Sequence, residues 1–276
     1  MRKQISEAMP CVLAIGGLDP SGGAGLPADA RAIAAFGAHC CGVTTAVIAQ
    51  NTRGVLAIEA VSPAMFTAQF DNLIEDMQPH AIKIGMLPNV EIVRCLIPRL
   101  QALRGIPIVI DTVFAPSSGP QFSDSATVNL IAKQLLPLAE LVTPNLIEAA
   151  QLYGQPIADW TSAIAAAQDI RERYGPAYVL LKGGHWTATA SSEAVDLLVS
   201  AHEQWELRAP RTEGYEVRGT GCLLASAIAA QRAQGVPVLE AAQAAKGWLT
   251  EQIQDAKAIG QGRRVATALT PNPPGA

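Results

Sequence analysis

The chain has 276 residues, a length that fits one large domain or two small ones. With 49% hydrophobic residues, 16% charged residues and a net charge of −4, it can build a sizeable core and is neither a disordered chain nor a polyelectrolyte. No basic excess points to a nucleic acid partner, and no apolar run reaches the roughly 18 residues that a membrane span needs.

The cysteines and the N-terminus both indicate a cytoplasmic protein. The five cysteines are an odd number without CxxC or Cys/His metal-ligand spacing, and they lie at positions 11, 40, 41, 95 and 222. Arg2 and Lys3 before the apolar run Cys11–Leu18 weakly resemble a signal peptide, but Glu7 interrupts the positive region and no small-x-small cleavage site follows. We therefore expect reduced thiols and interpret the apolar run as a first buried strand.

Short apolar runs alternate with helical patterns along the chain. The runs predict buried strands at Cys11–Gly16, Cys41–Ile48, Ala81–Ile84, Ile106–Ile110, Leu141–Val142 and Tyr178–Leu181. Helices are predicted between them, and one begins at Ser62 and Pro63, a capping residue followed by a first-turn proline. This alternation favours right-handed crossovers and a mostly parallel central sheet with helices on both faces.

The pattern changes after residue 183. Ala194–Val199 and Gln204–Ala209 predict two strands joined by a tight turn, hence an antiparallel pair at one edge of the sheet. From Thr220 to about Ile259 the chain predicts two helices, broken near residues 235–237. We interpret residues 1–276 as a single α/β domain with an ordered core of about residues 11–259. In open sheets of this kind, ligands bind beyond the carboxyl ends of the strands.

A glycine-rich segment, Gly16–Gly25, directly follows the first strand. Its five glycines let the backbone approach a ligand closely, although a flexible turn would have the same composition. Residues 23–28 also match a loose GxGxxA dinucleotide fingerprint, but Gln50 and Asn51 replace the acidic residue that this fingerprint needs. Asp19 is a carboxylate at a strand end among glycines, and we expect it to contact a ligand.

Carboxylates follow two later strands. Asp111 closes the strand Ile106–Ile110 and is suited to hold Mg²⁺ through water, unless it is an exposed loop acid. Asn145 and Glu148 follow Leu141–Val142, and on a helix they share a face. Both could reach a hydrated metal ion, but this spacing is also that of a capping box, and the two interpretations are compatible.

The segment Arg218–Cys222 opens the helix predicted from Thr220. Its glycines leave convergent backbone N–H groups free, and the helix dipole adds partial positive charge. Such a site suits a phosphoryl group in transfer. The same field stabilises a thiolate, so we expect Cys222 to act as a base near neutral pH. The alternative is a glycine-rich cap over a buried cysteine.

Lys182 follows the strand Tyr178–Leu181, where a lysine can meet phosphate oxygens. Gly183 and Gly184 come next and can admit a nucleotide, whereas His185 is interpreted as a loop residue. The sequence contains no GxxxxGK[ST] P-loop and no GxSxG nucleophile elbow. A P-loop ATPase is therefore excluded at the level of motifs, and an α/β-hydrolase is disfavoured.

Together these motifs resemble those of the hydroxymethylpyrimidine/phosphomethylpyrimidine kinases of thiamine biosynthesis, which are ribokinase-like enzymes. The resemblance runs from about Val12 to about Trp248, and its motifs come in order: Gly17–Gly25, Ala49–Thr52, Lys83–Leu87, Asp111–Val113, Thr143–Asn145, Lys182–His185 and Gly219–Cys222. Sugar kinases of the wider superfamily carry aspartate where Cys222 stands. The resemblance implies a ribokinase-like three-layer sandwich.

The resemblance also implies ATP-dependent phosphorylation of an aminopyrimidine alcohol, and then of its monophosphate, by a homodimer. Cys222 would take the hydroxyl proton, while the backbone amides from Gly219 through Thr220 and Gly221 to Cys222 would hold the γ-phosphoryl group. The substrate pocket would be formed by Gly17, Asp19, Gln50, Met86 and Val113, with Gln50 bonding the pyrimidine nitrogens. The nucleotide site would contain Asn145, Lys182 and Gly184, and Mg²⁺ would be held, directly or through water, by Asp111, Asn145 and Glu148.

Four positions depart from the residues usual in the family. Ser117 stands where a lysine is expected, Arg218 replaces a histidine, Leu223 replaces a threonine, and Leu18 replaces a small hydroxyl residue. Losing a lysine weakens the binding of a substrate that already carries a phosphate, and a planar guanidinium is not equivalent to an ammonium. Our hypothesis is that the first phosphorylation is retained and that these departures put the second in question.

Two alternatives stay open. A pyridoxal or pyridoxine kinase of the same superfamily shares the Gly-Thr-Gly loop, and Gln50 and Met86 favour a pyrimidine without excluding a pyridine ring. A non-catalytic pyrimidine-binding sensor would keep the pocket without turnover, and the departures at Ser117 and Leu223 leave room for it.

Overall fold

The computed structural model describes residues 9–114, 122–184 and 192–267, so Ser117 and His185 lie outside the described residues. Its strands are β1 (Cys11–Leu18), β2 (His39–Gln50), β3 (Val55–Ala60), β4 (Ala81–Ile84), β5 (Ile108–Ile110), β6 (Leu141–Val142), β7 (Tyr178–Leu181), β8 (Glu193–Val199), β9 (Gln204–Pro210), β10 (Val217–Arg218) and β11 (Arg264–Val265). Its helices are α1 (Gly25–Ala35), α2 (Pro63–Asp76), α3 (Val90–Ala102), α4 (Ser125–Leu130), α5 (Leu146–Tyr153), α6 (Trp160–Tyr174), α7 (Thr220–Ala233) and α8 (Val238–Gln254).

Nine strands form one sheet in the order β3-β2-β1-β4-β5-β6-β7-β8-β9. The six neighbouring strands β2, β1, β4, β5, β6 and β7 pair in parallel, whereas β8 and β9 form the antiparallel pair that the sequence predicts. The carboxyl ends of β1, β4, β5, β6 and β7 therefore lie at one edge, where the loops with the predicted site residues begin.

Strand β3 was not predicted, and it pairs antiparallel to the end of β2. It is short and lies at the sheet's edge with Leu56 85% exposed, and its apolar residues 55–58 were not recognised as a strand. The turn before it is closed by a hydrogen bond from Asn51 N to Gly54 O at 3.1 Å.

Helices cover both faces of the sheet, as predicted. Alternate residues of β1 point to opposite sides, so Leu13 and Ile15 join one core cluster and Val12 and Ala14 join the other. The first cluster packs against α2, α3, α5 and α6 through large aliphatic and aromatic side chains. The second packs against α1, α7 and α8, largely through buried alanines. The alanine-rich composition therefore lets these three helices approach the sheet and one another closely.

The predicted helix boundaries are confirmed in part. Ser62 Oγ accepts a hydrogen bond from Met65 N at 3.1 Å and Pro63 begins α2. The last predicted helix is shorter than expected, because α8 ends at Gln254 and not near Ile259. The chain then forms β11, which pairs with β10 immediately before α7. This small second sheet was not predicted, and it places Val265 beside Arg218.

All five cysteines are free thiols, in agreement with the prediction. Within the described part of the chain, no helix is long and apolar enough to cross a membrane.

Candidate active site

The glycine-rich loop after β1 is folded around the side chain of Asp19. Its carboxylate accepts hydrogen bonds from Ser21 N at 2.8 Å, Ser21 Oγ at 2.7 Å and Ala24 N at 2.9 Å. Asp19 is 1% exposed, so its oxygens are used inside the loop. Asp19 therefore fixes the conformation of the loop, and its contact with a ligand stays a prediction.

The N-terminus of α7 packs directly on this loop. Gly219 has a φ of +74°, and a Cβ there would lie 2.0 Å from the carbonyl oxygen of Gly23, so only glycine fits. No side chain caps α7, and its first hydrogen bond runs from Leu223 N to Gly219 O. The N–H groups of Thr220, Gly221 and Cys222 precede that bond and have no partner among the described residues. They are available to an anion, as the sequence predicts.

Cys222 lies in the first turn of α7, half-buried and beside the glycine-rich loop. Burial raises the pKa of this thiol to about 12, and although Lys83 lowers it, Asp29 and Asp111 raise it further. The expectation of a stabilised thiolate near neutral pH is therefore wrong. Its error is physical: the helix field was considered without the desolvation of the sulfur and without two nearby carboxylates.

A buried polar network that the sequence did not predict lies beneath α7. Lys83 Nζ on β4 and Ser226 Oγ on α7 both donate to Asp29 Oδ1 on α1, each at 2.8 Å. Burial alone lowers the pKa of Lys83, but Asp29, Cys222 and Asp111 outweigh burial and raise it, so this lysine stays protonated. The signal was present in the sequence as a single lysine inside the otherwise apolar strand Ala81–Ile84.

Asp111 and Lys182 form an ion pair at the carboxyl ends of β5 and β7. Lys182 Nζ lies 2.7 Å from Asp111 Oδ1, and Thr143 Oγ1 donates to the same oxygen at 3.2 Å. Burial raises the pKa of Asp111, but Lys182 and Lys83 outweigh burial and hold the pKa below its ordinary value. A Cβ on Gly221 would lie 3.1 Å from Lys182 Nζ and 3.3 Å from Asp111 Oδ2, so this pair borders the uncapped end of α7. The alternative of an exposed loop acid is wrong, because Asp111 is 2% exposed.

Asn145 and Glu148 form the capping box of α5, which confirms the structural interpretation of their spacing. Asn145 Oδ1 accepts from Glu148 N at 2.9 Å, and Glu148 Oε2 accepts from Asn145 N at 2.8 Å. Thr112 Oγ1 also donates to Glu148 Oε2 at 3.1 Å. Burial raises the pKa of Glu148 to about 7, while Lys182 lowers it and Asp111 raises it. The cap thus places a buried carboxyl group close to the Asp111–Lys182 pair.

The predicted Mg²⁺ ligands fit a hydrated ion better than an enclosed metal site. Among the described residues, no group of three or more His, Cys, Asp or Glu side chains could hold a metal. One oxygen of Asp111 is bound by Lys182, and the side-chain oxygen of Asn145 is used in the cap. Mg²⁺ usually keeps several waters and binds through one or two carboxylates together with substrate phosphates, and Asp111 and Glu148 can supply those.

Three of the predicted substrate-binding residues meet in a small apolar cluster at the end of β1. Met86 is buried with Ile48, and Val113 packs against them. A Cβ on Gly17 would lie 2.7 Å from Ile48 Cδ1 and 3.2 Å from Met86 Cε, so the absence of a side chain there leaves the cluster room. Gln50 ends β2, and its Oε1 is hydrogen-bonded by Arg218 Nη2. An apolar platform with one amide suits a flat, nitrogen-containing ring.

The segment after β7 contains a second buried ion pair that was not predicted. Gly183 N donates to Asp196 Oδ1 at 2.8 Å, and Lys246 Nζ of α8 lies 2.7 Å from Asp196 Oδ2. A Cβ on Gly183 would lie 1.9 Å from the carbonyl oxygen of Val195, whereas the space beside Gly184 is open. Lys182 and Gly184 thus follow a strand end anchored by this ion pair, and Lys182 reaches Asp111 beside the uncapped end of α7.

Comparison with known proteins identifies relatives over nearly the whole chain. A family model described as phosphomethylpyrimidine kinase matches residues 19–267. A hydroxymethylpyrimidine/phosphomethylpyrimidine kinase from Synechococcus elongatus is 40% identical over 256 residues, which are 93% of this chain and 96% of that protein. A probable thiamine biosynthetic bifunctional enzyme from Oryza sativa is 38% identical over 90% of this chain, which spans only 45% of that longer protein.

Solved structures of two kinases share the fold. A phosphomethylpyrimidine kinase from Clostridium difficile is 33% identical with a TM-score of 0.76, and the match covers 88% of this chain and 98% of that one. A pyridoxal kinase from Bacillus subtilis, solved as an ADP complex, is 28% identical with a TM-score of 0.86, and the match covers 94% and 97% of the two chains. The ribokinase-like three-layer sandwich implied by the motifs is therefore confirmed.

Proposed function

This chain belongs to the phosphomethylpyrimidine kinase family and is a phosphotransferase, and on that premise we propose that it phosphorylates 4-amino-5-hydroxymethyl-2-methylpyrimidine with ATP in thiamine biosynthesis. One observation carries the proposal: the uncapped N-terminus of α7, with Cys222 in its first turn, packs on the glycine-rich loop after β1. That arrangement brings free amides and a thiol to the same edge of the sheet as the apolar cluster of Met86 and Val113, which supports the proposal.

In the proposed reaction the acceptor hydroxyl oxygen forms a bond to the γ-phosphorus while the bond from that phosphorus to ADP breaks. The amides of Thr220, Gly221 and Cys222 stabilise the charge on the transferred group. The hydroxyl proton passes to Cys222 Sγ in its thiolate form. Because burial raises the pKa of the thiol to about 12, the reactive fraction grows as pH rises through neutrality.

Lys182 and Gly184 are proposed to border the nucleotide, with Lys182 turning from Asp111 towards phosphate oxygens. Asp111 and Glu148 would hold Mg²⁺ directly or through water, and Asn145 supports Glu148 through the cap. Mg²⁺ bound with ATP supplies charge neutralisation on the phosphates. Isothermal titration with ADP, with and without Mg²⁺, tests this part: binding unaffected by Mg²⁺ in the wild type contradicts it.

The acceptor ring is proposed to lie on Gly17, Met86 and Val113, with Gln50 bonding its nitrogens. The decisive experiment incubates the purified protein with the aminopyrimidine alcohol and Mg-ATP, and resolves monophosphate and diphosphate products. Cys222→Ala serves as the control, because an enzyme should lose turnover and largely keep ligand binding. Equal, negligible turnover in both proteins, with ligand still bound, would favour the sensor interpretation over the kinase.

A pyridoxal or pyridoxine kinase is the second candidate, and the close structural match to the Bacillus subtilis pyridoxal kinase favours it. Parallel assays of ATP consumption with the aminopyrimidine alcohol and with pyridoxal separate the two. We expect the pyrimidine to be the better substrate, since Gln50 offers both a donor and an acceptor to an aminopyrimidine edge. A higher kcat/KM for pyridoxal would reverse the assignment.

The second phosphorylation, of the monophosphate, is a separate proposal. Leu223 is 2% exposed and packs in the alanine-rich core, so that departure lies away from the ring platform. Ser117 lies outside the described residues. Steady-state rates on the alcohol and on its monophosphate test the step, and equal efficiency on both would remove the doubt raised by the lost lysine. The homodimer and the cytoplasmic location stay predictions, and light scattering of the purified protein checks the first of them.

A further inference from the structure

Arg218 joins the glycine-rich loop to the end of β2. Its Nη2 donates to Gln50 Oε1, and its Nε lies 3.4 Å from Asp19 Oδ2. The side chain is 10% exposed and lies along Gly23, where a Cβ would come within 3.0 Å of Arg218 Cδ. One guanidinium therefore connects the carboxylate that shapes the loop with the amide proposed to recognise the acceptor.

One C-terminal segment, residues 263–265, holds the main chain near both Arg218 and Gln50. Arg218 belongs to β10, which pairs with β11, and Arg264 N donates to Glu216 O at 3.0 Å. Arg263 N donates at 2.9 Å to the carbonyl oxygen of Thr52, two residues after Gln50. The main chains around the arginine and around the glutamine are thus held to one short stretch of chain, so their contact is a defined part of the fold.

The contact determines which end of the Gln50 carboxamide faces a ligand. A guanidinium has only donors, so it must bind the amide oxygen. Among the described residues Gln50 makes one side-chain hydrogen bond, through Oε1, so its Nε2 is left to donate to a ring nitrogen. The oxygen keeps a second lone pair, which can accept from an exocyclic amino group next to that nitrogen. This donor and acceptor match a 4-aminopyrimidine edge and do not match a pyridine ring without an adjacent amino group.

Asp19 compensates the charge of Arg218, which argues against a role in binding the acceptor's phosphate. The carboxylate is buried with the guanidinium and already lies within ion-pair distance of it. A phosphate ligand would have to compete with this carboxylate. Arg218 can orient the carboxamide of Gln50 while it keeps its ion pair with Asp19.

We propose that Arg218 is a positioning residue that sets acceptor specificity by locking the carboxamide of Gln50 with its NH₂ group towards the ring nitrogen. The proposal rests on the proposed kinase function, since it assigns Gln50 to the acceptor. Without the guanidinium the amide can rotate, so the preference for an aminopyrimidine over a pyridine falls.

The test compares the wild type with Arg218→Ala, Gln50→Ala and the double variant on the aminopyrimidine alcohol, its monophosphate and pyridoxine. We expect Arg218→Ala to raise KM for the alcohol and for the monophosphate by the same factor, about three- to tenfold, with kcat within about twofold. The ratio of kcat/KM for pyrimidine over pyridoxine should fall by a similar factor. The double variant should lose no more affinity than Gln50→Ala, because the arginine acts through the glutamine.

Two controls separate positioning from loss of structure. Arg218→Lys keeps the charge and one donor, so it should recover part of the affinity lost in the alanine variant. Arg232→Lys alters an arginine at the far end of α7, where it pairs with Glu140 at 2.7 Å, and should leave KM unchanged. A melting temperature for each variant shows whether a KM change comes with unfolding.

The outcomes are distinct. A defect of Arg218→Ala confined to the monophosphate would make the guanidinium a phosphate ligand, and a loss in kcat and melting temperature with unchanged KM would make it merely structural; each overturns the proposal. If the wild type binds the alcohol in calorimetry without turning it over, the kinase function falls alone, and the same variants then test the proposal through Kd. If the wild type neither binds nor phosphorylates the alcohol, both fall.

Discussion

Two helix N-termini lie at the edge of the sheet formed by the carboxyl ends of the parallel strands, and only one of them is capped by side chains. Helix α5 is closed by the reciprocal capping box of Asn145 and Glu148, so the N–H groups of these two residues are used internally. Helix α7 begins at Gly219 with no capping side chain, and its first amides stay free. The difference shows how one edge can offer a carboxylate at one helix end and an anion-binding end at the other.

The largest effect is expected from removing the thiol in the first turn of α7, the helix without a capping side chain. Cys222→Ala removes the proposed proton acceptor and should lower kcat by about 10²–10⁴-fold while Kd for the acceptor changes little. In the wild type, kcat should rise with pH between about 6 and 9, because the thiol's pKa is raised to about 12 and the thiolate fraction grows throughout that range. Single-turnover rates across this range check both statements, and a rate that levels off near neutral pH would contradict the second.

The next largest effect is expected from a substitution that prevents the close packing of α7 on the glycine-rich loop. Gly219→Ala places a Cβ 2.0 Å from Gly23 O at a φ of +74°, so α7 must shift and we expect a loss of about 10²-fold in kcat/KM. Gly235→Ala is the matched control after the other end of α7, with a φ of +81° and nothing within 4 Å of the added Cβ. It should cost about 1 kcal/mol of stability and leave activity unchanged. Similar activity in the two variants would argue against a close fit at Gly219.

The capped end of α5 predicts a smaller, pH-dependent effect on stability. Burial raises the pKa of Glu148 to about 7, above the ordinary value of 4.5, so the folded state holds its proton more tightly than the unfolded state. The stabilising contribution is present below about pH 4.5 and is lost as pH rises through about 7. Glu148→Gln keeps an oxygen for Asn145 N and should melt at a higher temperature than the wild type at pH 8, with the difference gone near pH 4. An unchanged difference across pH would contradict the burial of a titrating carboxyl.

The smallest expected effect distinguishes the structural role of the α5 cap from its role in nucleotide binding. Asn145→Ala and Asp159→Ala each remove the N-cap of a capping box, the first in α5 and the second in α6. Each should lower the free energy of unfolding by about 1 kcal/mol in urea denaturation. Only Asn145→Ala should also raise KM for Mg-ATP, since only the α5 cap places Glu148 beside Asp111. Equal KM values in the two variants would make the α5 cap purely structural.

Most strands of the central sheet could be predicted from local sequence patterns. The parallel strands are buried apolar runs, and the antiparallel pair after residue 183 alternates clearly enough to be predicted. Strands β10 and β11 were not predicted because two-residue strands gain their structure from a partner and not from their own pattern. Strand β3 was missed although residues 55–58 are apolar. The gathering of the site motifs could also be predicted, because each motif follows a predicted strand and parallel strands bring their carboxyl ends to one edge of the sheet.

The chemistry of the site was less accessible. The hydrogen bonds that Asp19 accepts from its own loop were not predicted, and Cys222 was expected to ionise readily, yet burial and two carboxylates raise the pKa of its thiol. The error for Cys222 came from considering the residue in its own segment alone. The Asp29–Lys83–Ser226 network joins residues 197 positions apart at its widest, a pairing that no local pattern records.

The sequence by itself determined the layered α/β fold, the edge at which the ligand-binding loops gather and the family, because hydrophobic periodicity and glycine spacing are local properties of the chain. Only the tertiary structure decided which charges neutralise one another, how strongly Cys222 and Glu148 hold their protons, and that Arg218 reaches across to Gln50. Protonation and polar pairing depend on distances and burial between residues far apart in the chain, and those come into existence only when the sheet and its helices are packed.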